Sequence, residues 1–247
     1  MTPWPESRSG SGREKAGEEA RLFSASDISA NLRGMSRSHR HLPLAALLLA
    51  AFVSVSIVAA AGWVHELDLW VLRVTQEYST PTLDELGLLL SIAGSVPVSG
   101  LAILSIALAL RLRGRRRTAA RLLAVFAVTA LIELVLKMSL PQTPIEASAV
   151  RVASPSFLLA FETPFPYPSG HMIRSVLALG ALFIMVRRRV WKLLLVSLLL
   201  LMALSRIYVG AHWISDVAGG TLLGAAGLVW AFSGGETESR AKGRRWR

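Results

Sequence analysis

The chain has 247 residues, of which 53% are hydrophobic, 17% are charged and none is cysteine. A soluble domain carries about 25% charged residues, and the apolar residues here form long blocks, which excludes a soluble globular fold and indicates an integral membrane protein. The absence of cysteine also excludes disulfides and thiolate metal sites.

The chain begins with a polar segment in which Ser, Gly, Arg and Glu dominate, so we predict residues 1–42 to be a mostly disordered basic tail. The apolar block that follows, residues 43–63, is long enough to span a bilayer. A signal peptide has the same order of basic and apolar segments, and Ala59 to Ala61 could serve as its cleavage site. The length of the tail and of the block favours a retained first helix.

Residues 64–85 carry Leu67, Trp70, Val71 and Val74 at helical spacing and predict a short helix along the membrane interface. Further apolar blocks predict five more transmembrane helices, at about 86–110, 119–140, 169–186, a fifth ending near 208, and 212–232. Glycines and a proline interrupt the second of the six: Gly87, Gly94, Pro97 and Gly100. The predicted fold is all-α, a six-helix transmembrane bundle over residues 43–232 followed by a basic tail over 233–247.

Most of the 27 Lys and Arg residues lie in the two tails and in two basic turns, residues 111–117 and 187–192. The positive-inside rule places these segments in the cytoplasm, so we predict a multi-pass protein of the cell membrane with both tails cytoplasmic. The net charge of +11 is then explained by contact with membrane lipids, not with nucleic acid. The candidate site residues Lys137, His171, Arg206 and His212 then all fall at the opposite, extracytoplasmic ends of the predicted helices.

A polar stretch, Ser205 to Asp216, separates the last two apolar blocks. His212 and Asp216 are four residues apart, which would place them on one face of a helix, where the carboxylate can hold one imidazole nitrogen and leave the other free to attack. Arg206 offers a fixed fork of donors that suits phosphate oxygens. Ionisable residues inside spans are costly and usually functional, although such a pair can also serve only to join two helices.

A second polar motif, Pro168-Ser169-Gly170-His171, opens the fourth predicted helix. Ser169 there is a typical N-cap. A helix start also presents free N–H groups and a positive dipole end, which bind phosphate, and Gly170 lets the backbone approach such a ligand closely. The capping role and the phosphate-binding role are compatible.

These two motifs resemble the type 2 phosphatidic acid phosphatase family, which shares its active-site pattern with vanadium haloperoxidases. The match includes Ser205-Arg206, five residues, His212, three residues and Asp216. The resemblance implies a metal-free membrane lipid phosphatase in which His212 becomes a phosphohistidine, Asp216 orients it and His171 is the general acid. It implies Arg206, Ser169 and Gly170 as phosphate ligands, no cofactor, and a lipid phosphate as substrate: a polyprenyl pyrophosphate, phosphatidylglycerol phosphate or phosphatidic acid.

The family's first signature, a Lys followed after six residues by Arg-Pro, is degraded. Lys137 is present and is the predicted phosphate ligand, but the Arg is missing. We predict that Arg174, three residues after His171 on the same helix face, supplies the missing guanidinium. The alternatives are that Lys137 forms an internal ion pair with Glu133, and that Arg174 snorkels outward or pairs with Glu133 or Asp216.

Two other functions remain open at this point. The same phosphohistidine could pass its phosphoryl group to a second lipid, which would make the protein a phosphotransferase. The missing Arg is also compatible with a catalytically silent member that acts as a scaffold or transporter. The sequence selects neither the lipid nor the oligomeric state.

Overall fold

The computed structural model describes residues 25–152 and 163–233, with side chains from residue 41 onward. The regular structure in these residues is helical, and a short 3₁₀ turn, Ala147–Ala149, lies between the fifth and sixth helices. The helices are α1 (Ala25–Ala60), α2 (His65–Glu77), α3 (Pro81–Ala93), α4 (Val96–Leu112), α5 (Arg116–Ser139), α6 (Gly170–Met185), α7 (Arg189–Tyr208) and α8 (Ile214–Phe232).

Helix α1 begins inside the segment that the sequence predicts to be a disordered tail. Residues 1–24 lie outside the described residues, but the chain is helical from Ala25, so the prediction for residues 25–42 differs from the structure. Helix α1 continues through Pro43, where the proline removes one backbone hydrogen bond and its ring crowds the preceding turn. The helix is therefore not ended at the boundary between the polar and the apolar residues. The predicted C-terminal tail lies, except for Ser233, outside the described residues.

The helices form an all-α membrane bundle with four or five candidate spans among the described residues. Four are long and apolar enough to cross a bilayer: residues His41–Ala60 of α1, and helices α5, α7 and α8. Helices α3 and α4 make a fifth if they are one span bent by 51°. Helix α6 has only 16 residues, fewer than the ~20 that a span usually needs. Six spans therefore stay a prediction.

The break between α3 and α4 falls among the interrupting residues that the sequence indicates. Helix α3 ends at Ala93, and Gly94 and Ser95 separate it from α4. Pro97 lies in the first turn of α4, where its missing N–H costs nothing. As a result, α3 ends beside the polar residues at the start of α6, and its backbone carbonyls become available to side chains there.

Helices α6 and α8 pack closely at the centre of the bundle because glycines line their contact. A Cβ added at Gly224 would lie 3.0 Å from both the Ile173 oxygen and the Val176 Cβ, and one at Gly220 would run into the Ser169 carbonyl. These small residues let the backbones of the two helices approach closely. Around it lie fully buried apolar side chains, among them Ile103, Leu110, Leu122 and Leu177.

The short helix predicted within residues 64–85 is confirmed as α2. It buries Asp68 and Leu72 and leaves Leu67, Trp70 and Val74 exposed. The loop after α5 passes the end of α7, where the Arg151 N–H donates to the Val209 carbonyl at 3.0 Å. The Arg151 side chain donates two hydrogen bonds of 2.9 Å to Asp84 on α3. Both α2 and this loop therefore flank the turn that joins α7 to α8.

Candidate active site

The start of α8 brings His212 and Asp216 together. Asp216 Oδ2 lies 3.3 Å from His212 Nδ1 and accepts the Trp213 N–H at 2.9 Å. The predicted contact is present, but its cause is different: α8 begins at Ile214, so His212 precedes the helix and the two residues do not share a helical face. Asp216 reaches back from the first turn in the manner of a capping residue, and its Oδ1 is buried without a partner among the described residues.

A tight turn connects Arg206 to His212. The Arg206 carbonyl accepts hydrogen bonds from the Ala211 and His212 N–H groups, each at 3.1 Å. Gly210 in this turn has a φ of +72°, a conformation that other residues rarely adopt, and an added Cβ would collide with the Ala149 carbonyl. The five-residue spacing of the signature is thus the length of the turn that joins Arg206 to His212.

The Arg206 guanidinium is 1% exposed and lies against α3. It donates to the Gly87 carbonyl at 3.3 Å and also to the Ser91 hydroxyl. No acidic side chain within residues 41–152 and 163–233 forms an ion pair with it. A buried cation without an anionic partner is costly, which indicates a site that is completed by an anion.

The start of α6 lies directly against the start of α8, since the Ser169 N–H donates to the Asp216 carbonyl at 3.0 Å. Ser169 occupies the N-cap position, but its side chain makes no capping hydrogen bond. Its hydroxyl is buried and has no partner among the described residues. The expected capping role is therefore absent from this structure, and the hydroxyl stays available to a ligand.

His171, in the first turn of α6, lies close to His212. Its ring centroid lies 6.5 Å from that of His212. His171 Nε2 lies 3.1 Å from the Ser91 carbonyl, and because a carbonyl only accepts, this nitrogen carries a proton. A Cβ at Gly94 would lie 2.5 Å from the His171 ring, so the glycine at the end of α3 provides the space that the ring occupies.

Lys137 and Arg174 share one carboxylate, that of Glu133. Lys137 Nζ lies 3.3 Å from Glu133 Oε1, and Arg174 Nη1 lies 2.9 Å from Oε2. Arg174 also donates to the Gly94 carbonyl at 3.4 Å. The ion pairs considered as alternatives are thus formed here, and the phosphate-binding roles of Lys137 and Arg174 stay predictions. Glu133 lies so close to Gly170 that an added Cβ would meet its carboxylate, which places both cations at the start of α6.

Comparison with known proteins identifies the family. A family model described as the PAP2 superfamily matches residues 118–240, a segment that contains all the residues above except Gly87, Ser91 and Gly94. The chain belongs to the PAP2 superfamily. The resemblance drawn from the two signatures is therefore confirmed, and the protein is a multi-pass membrane protein of a phosphatase family.

Two relatives add detail to the PAP2 assignment. Undecaprenyl-diphosphatase from Sulfolobus acidocaldarius is 36% identical over 74 residues, which cover 29% of this chain and 35% of the relative, so the match spans about a third of that protein. A crystal structure of a transmembrane PAP2-type phosphatidylglycerolphosphate phosphatase from Bacillus subtilis matches with a TM-score of 0.59 at 21% identity. That match covers 82% of this chain and 98% of the Bacillus chain, and it shows a common fold.

The electrostatics of this PAP2 site favour a neutral His212. Burial lowers the pKa of the imidazole below its usual value, the hydrogen bond to Asp216 opposes that shift, and the charges of Lys137 and Arg206 lower the pKa further. A neutral imidazole has the lone pair that a nucleophile needs. Within the described residues no group of three His, Cys, Asp or Glu side chains could hold a metal ion, and the absence of a metal cofactor stays a prediction.

Sequence reasoning missed several contributors to this PAP2 site. On α3, Ser91 contacts both Arg206 and His171, and the only signal for that surface is the pair of glycines that flank Ser91, Gly87 and Gly94. On α2, Asp68 is 2% exposed and contacts the start of α8. No sequence signal marks Asp68, because its partner lies far away along the chain.

Proposed function

We propose that this PAP2 protein is a lipid phosphatase that hydrolyses a phosphomonoester or a diphosphate through a phosphohistidine on His212. The observation that carries the proposal is the buried guanidinium of Arg206, which lacks an acidic partner among the described residues and is joined by one turn to the His212–Asp216 pair. Phosphoryl transfer to histidine requires a cation that can bind the phosphoryl oxygens and, beside it, an imidazole that is held in one orientation.

In the first step, His212 Nε2, the nitrogen that Asp216 does not contact, attacks phosphorus. The bond between phosphorus and the leaving oxygen breaks, and His171 gives that oxygen a proton, so that a lipid alcohol or a lipid monophosphate departs. His171 Nε2–H donates to the Ser91 carbonyl, so the proton given to the leaving oxygen comes from Nδ1: the ring enters this step as an imidazolium and leaves it neutral. Asp216 stabilises the positive imidazole ring while the phosphohistidine forms.

In the second step, a water molecule attacks the phosphohistidine. His171 now takes a proton from the water, the bond between nitrogen and phosphorus breaks, and inorganic phosphate is released with both histidines restored. The charge on the phosphoryl oxygens is met by Arg206, by Lys137 and Arg174, and by the open start of α6 with Ser169 and Gly170. These groups are preorganised, so they stabilise the transition state without reorganisation.

Two features support a lipid as the substrate. The relatives are named undecaprenyl-diphosphatase and phosphatidylglycerolphosphate phosphatase, and both names denote phosphates on lipids. Apolar side chains also cover the outside of the spanning helices, for example Leu47, Leu131 and Leu193, so a substrate can approach from the bilayer. Polyprenyl diphosphate, phosphatidylglycerol phosphate and phosphatidic acid are the candidates.

We place the site at the extracytoplasmic face of a six-span protein with cytoplasmic tails, because the basic turns lie at the opposite ends of the helices. A topology reporter inserted after Arg113 is expected to read cytoplasmic, and one near Ser148 extracytoplasmic. The reverse result for both positions would place the site in the cytoplasm.

The decisive experiment is phosphate release by the purified full-length protein from the three candidate lipids in detergent. We expect vanadate-sensitive release from at least one lipid and none from His212→Ala. Transfer of the phosphoryl group to an added lipid alcohol in place of water would identify a phosphotransferase. A wild-type protein that forms no phosphohistidine and releases no phosphate would contradict the proposal and favour a scaffold or transporter.

A further inference from the structure

A buried carboxylate on α2 binds the helix that carries the catalytic turn. Asp68 is 2% exposed, its Oδ1 accepts the Ser215 N–H at 3.0 Å, and its Oδ2 accepts the Ser215 hydroxyl at 2.9 Å. Ser215 is the second residue of α8, and its N–H belongs to the group of donors that no carbonyl within the helix can satisfy. Asp68 therefore caps α8 from a different helix.

This carboxylate is kept in place by α8 and not by a cation. No Lys, Arg or His side chain of the described residues forms an ion pair with Asp68. Burial raises the pKa of the Asp68 carboxyl, the two hydrogen bonds from Ser215 oppose that shift, and the nearby charge of Asp216 adds to it. Burying a carboxylate costs free energy, and the compensation here is the pair of Ser215 donors together with the positive end of the α8 dipole.

The same turn is held at a second point. His65, one turn before Asp68 on α2, sets its ring edge-on to Trp213 with centroids 5.5 Å apart. The Trp213 indole N–H donates to the Thr143 carbonyl at 2.8 Å. Trp213 and Ser215 are two of the three residues between His212 and Asp216. Helix α2 therefore contacts the segment that fixes the distance between the His212 ring and the Asp216 carboxylate.

We propose that Asp68 is a positioning residue for His212. It holds the start of α8 so that Asp216 reaches back to His212 Nδ1, and it contacts neither His212 nor the phosphate-binding cations. This inference rests on the proposed phosphatase function. Its mechanical part, that Asp68 holds the turn Trp213 to Asp216, is measurable without any activity.

The first measurement compares the effect of each variant on kcat with its effect on KM and on inhibition by inorganic phosphate. Asp68→Ala is expected to lower kcat by about 10- to 100-fold, because a small displacement of a catalytic group has effects of this size. The KM and the inhibition constant of inorganic phosphate stay within about twofold, since the phosphate ligands are untouched. Asp68→Asn keeps an acceptor for the N–H and supplies a donor to the hydroxyl, so it recovers most of the rate, and Ser215→Ala lies between. Glu66→Ala, an exposed site on the same helix, leaves kcat unchanged.

The second readout is amide hydrogen exchange of the full-length protein in detergent. Asp68→Ala is expected to lose protection in peptides covering residues 211–217 and to keep it in α7, and Asp68→Asn restores protection. Unchanged exchange at 211–217 would overturn the proposal whatever the activity. So would a general loss of protection across the bundle with a proportional rise in KM, because that pattern belongs to a merely structural residue.

The two proposals fail in different ways. A wild-type protein without phosphatase activity removes the proposed function, while the exchange data still decide whether Asp68 holds the turn. A wild-type protein with full activity whose Asp68→Ala and Asp68→Asn variants match it in kcat removes the positioning role alone.

Discussion

Helices α6 and α8 each begin at a histidine-bearing turn, and the two turns differ in how their polar groups are satisfied. At α8, carboxylates accept backbone N–H groups directly, Asp216 from Trp213 and Asp68 from Ser215. At α6, the capping hydroxyl of Ser169 has no partner among the described residues. The carboxylate beside that helix start, Glu133, is bound to side chains and not to the backbone.

The difference matches the two roles that we propose for these turns. The proposed nucleophile, His212, must be held at one position and in one tautomer, and Asp68 and Asp216 at the start of α8 suit that role. The proposed phosphate-binding end must keep donors free until the ligand arrives, and the unpartnered Ser169 hydroxyl at the start of α6 suits that role. We call the start of α8 the held turn and the start of α6 the open turn. The hydrogen bond from the Ser169 N–H to the Asp216 carbonyl joins these two turns.

The largest effects should separate the two histidines. His212→Ala is expected to abolish phosphohistidine formation and lower turnover by at least about 10⁴-fold with any substrate. His171→Ala should cost about 10²- to 10⁴-fold with a lipid phosphate but much less with an aryl phosphate, whose leaving group needs little protonation. Phosphohistidine trapping and rates on both substrates are the measurements. Equal losses on the two substrates would contradict this division of roles.

The next effect tests the carboxylate of the held turn. Asp216→Asn should lower kcat by about 10³- to 10⁴-fold, because the tautomer of His212 is no longer fixed. Since His212 has a lowered pKa, the acidic limb of kcat/KM in the wild-type enzyme should lie below the usual value of 6.5. Asp216 opposes that lowering, so the limb of the residual Asp216→Asn activity should move to still lower pH. A shift to higher pH would contradict the assignment.

Arg174→Ala probes the cations beside the open turn. We expect turnover to fall by about 10- to 1000-fold if the guanidinium meets the developing charge of the phosphate. Adding Gln142→Arg should recover part of the loss by returning an arginine to the loop, although Gln142 then gives up its 3.2 Å contact with the Ser215 hydroxyl. Arg73→Ala, an exposed arginine on α2, is the control. Normal turnover and vanadate affinity in Arg174→Ala would mean that its pair with Glu133 is only structural.

The smallest effect is expected at Ser169. Its hydroxyl has no partner among the described residues, so Ser169→Ala should leave thermal stability unchanged. A hydrogen bond to a charged ligand contributes about 1.5–3 kcal/mol, so the inhibition constant of inorganic phosphate should rise by roughly ten- to a hundredfold. Ser54→Ala, at an exposed site on α1, controls for the loss of a hydroxyl. A fall in stability with unchanged phosphate inhibition would make Ser169 a structural residue.

Residue spacing and residue type predict the features that depend on residues close together in the chain. The spacing of Arg206, His212 and Asp216 reflects a single turn, and the glycine face of α8 reflects a single helix contact, so both could be read from the chain. The break at Gly94 was also visible, because glycine and proline mark it. The contact between His212 and Asp216 was expected for the wrong reason, since helical spacing does not describe a residue that precedes the helix.

The remaining contributors depend on packing between distant segments. Asp68 caps a helix through Ser215, which lies 147 residues later in the chain. Glu133 pairs with Lys137 from its own helix and with Arg174 from another. The apolar pattern also does not decide the number of spans, because α6 is apolar but has only 16 residues, fewer than the ~20 that a span usually needs. None of these features has a sequence pattern of its own.

If α6 is one of the six predicted spans, its shortness makes bilayer thickness a variable of the proposed reaction. At ~1.5 Å per residue, its 16 residues rise about 24 Å, less than the ~30 Å hydrocarbon core of a typical bilayer. The membrane must thin beside this helix, or one of its ends must lie below the level of the surrounding head groups. Because His171 is in the first turn of α6, the depth at which a lipid phosphate meets the two histidines follows from this mismatch. Host lipids with shorter acyl chains reduce it.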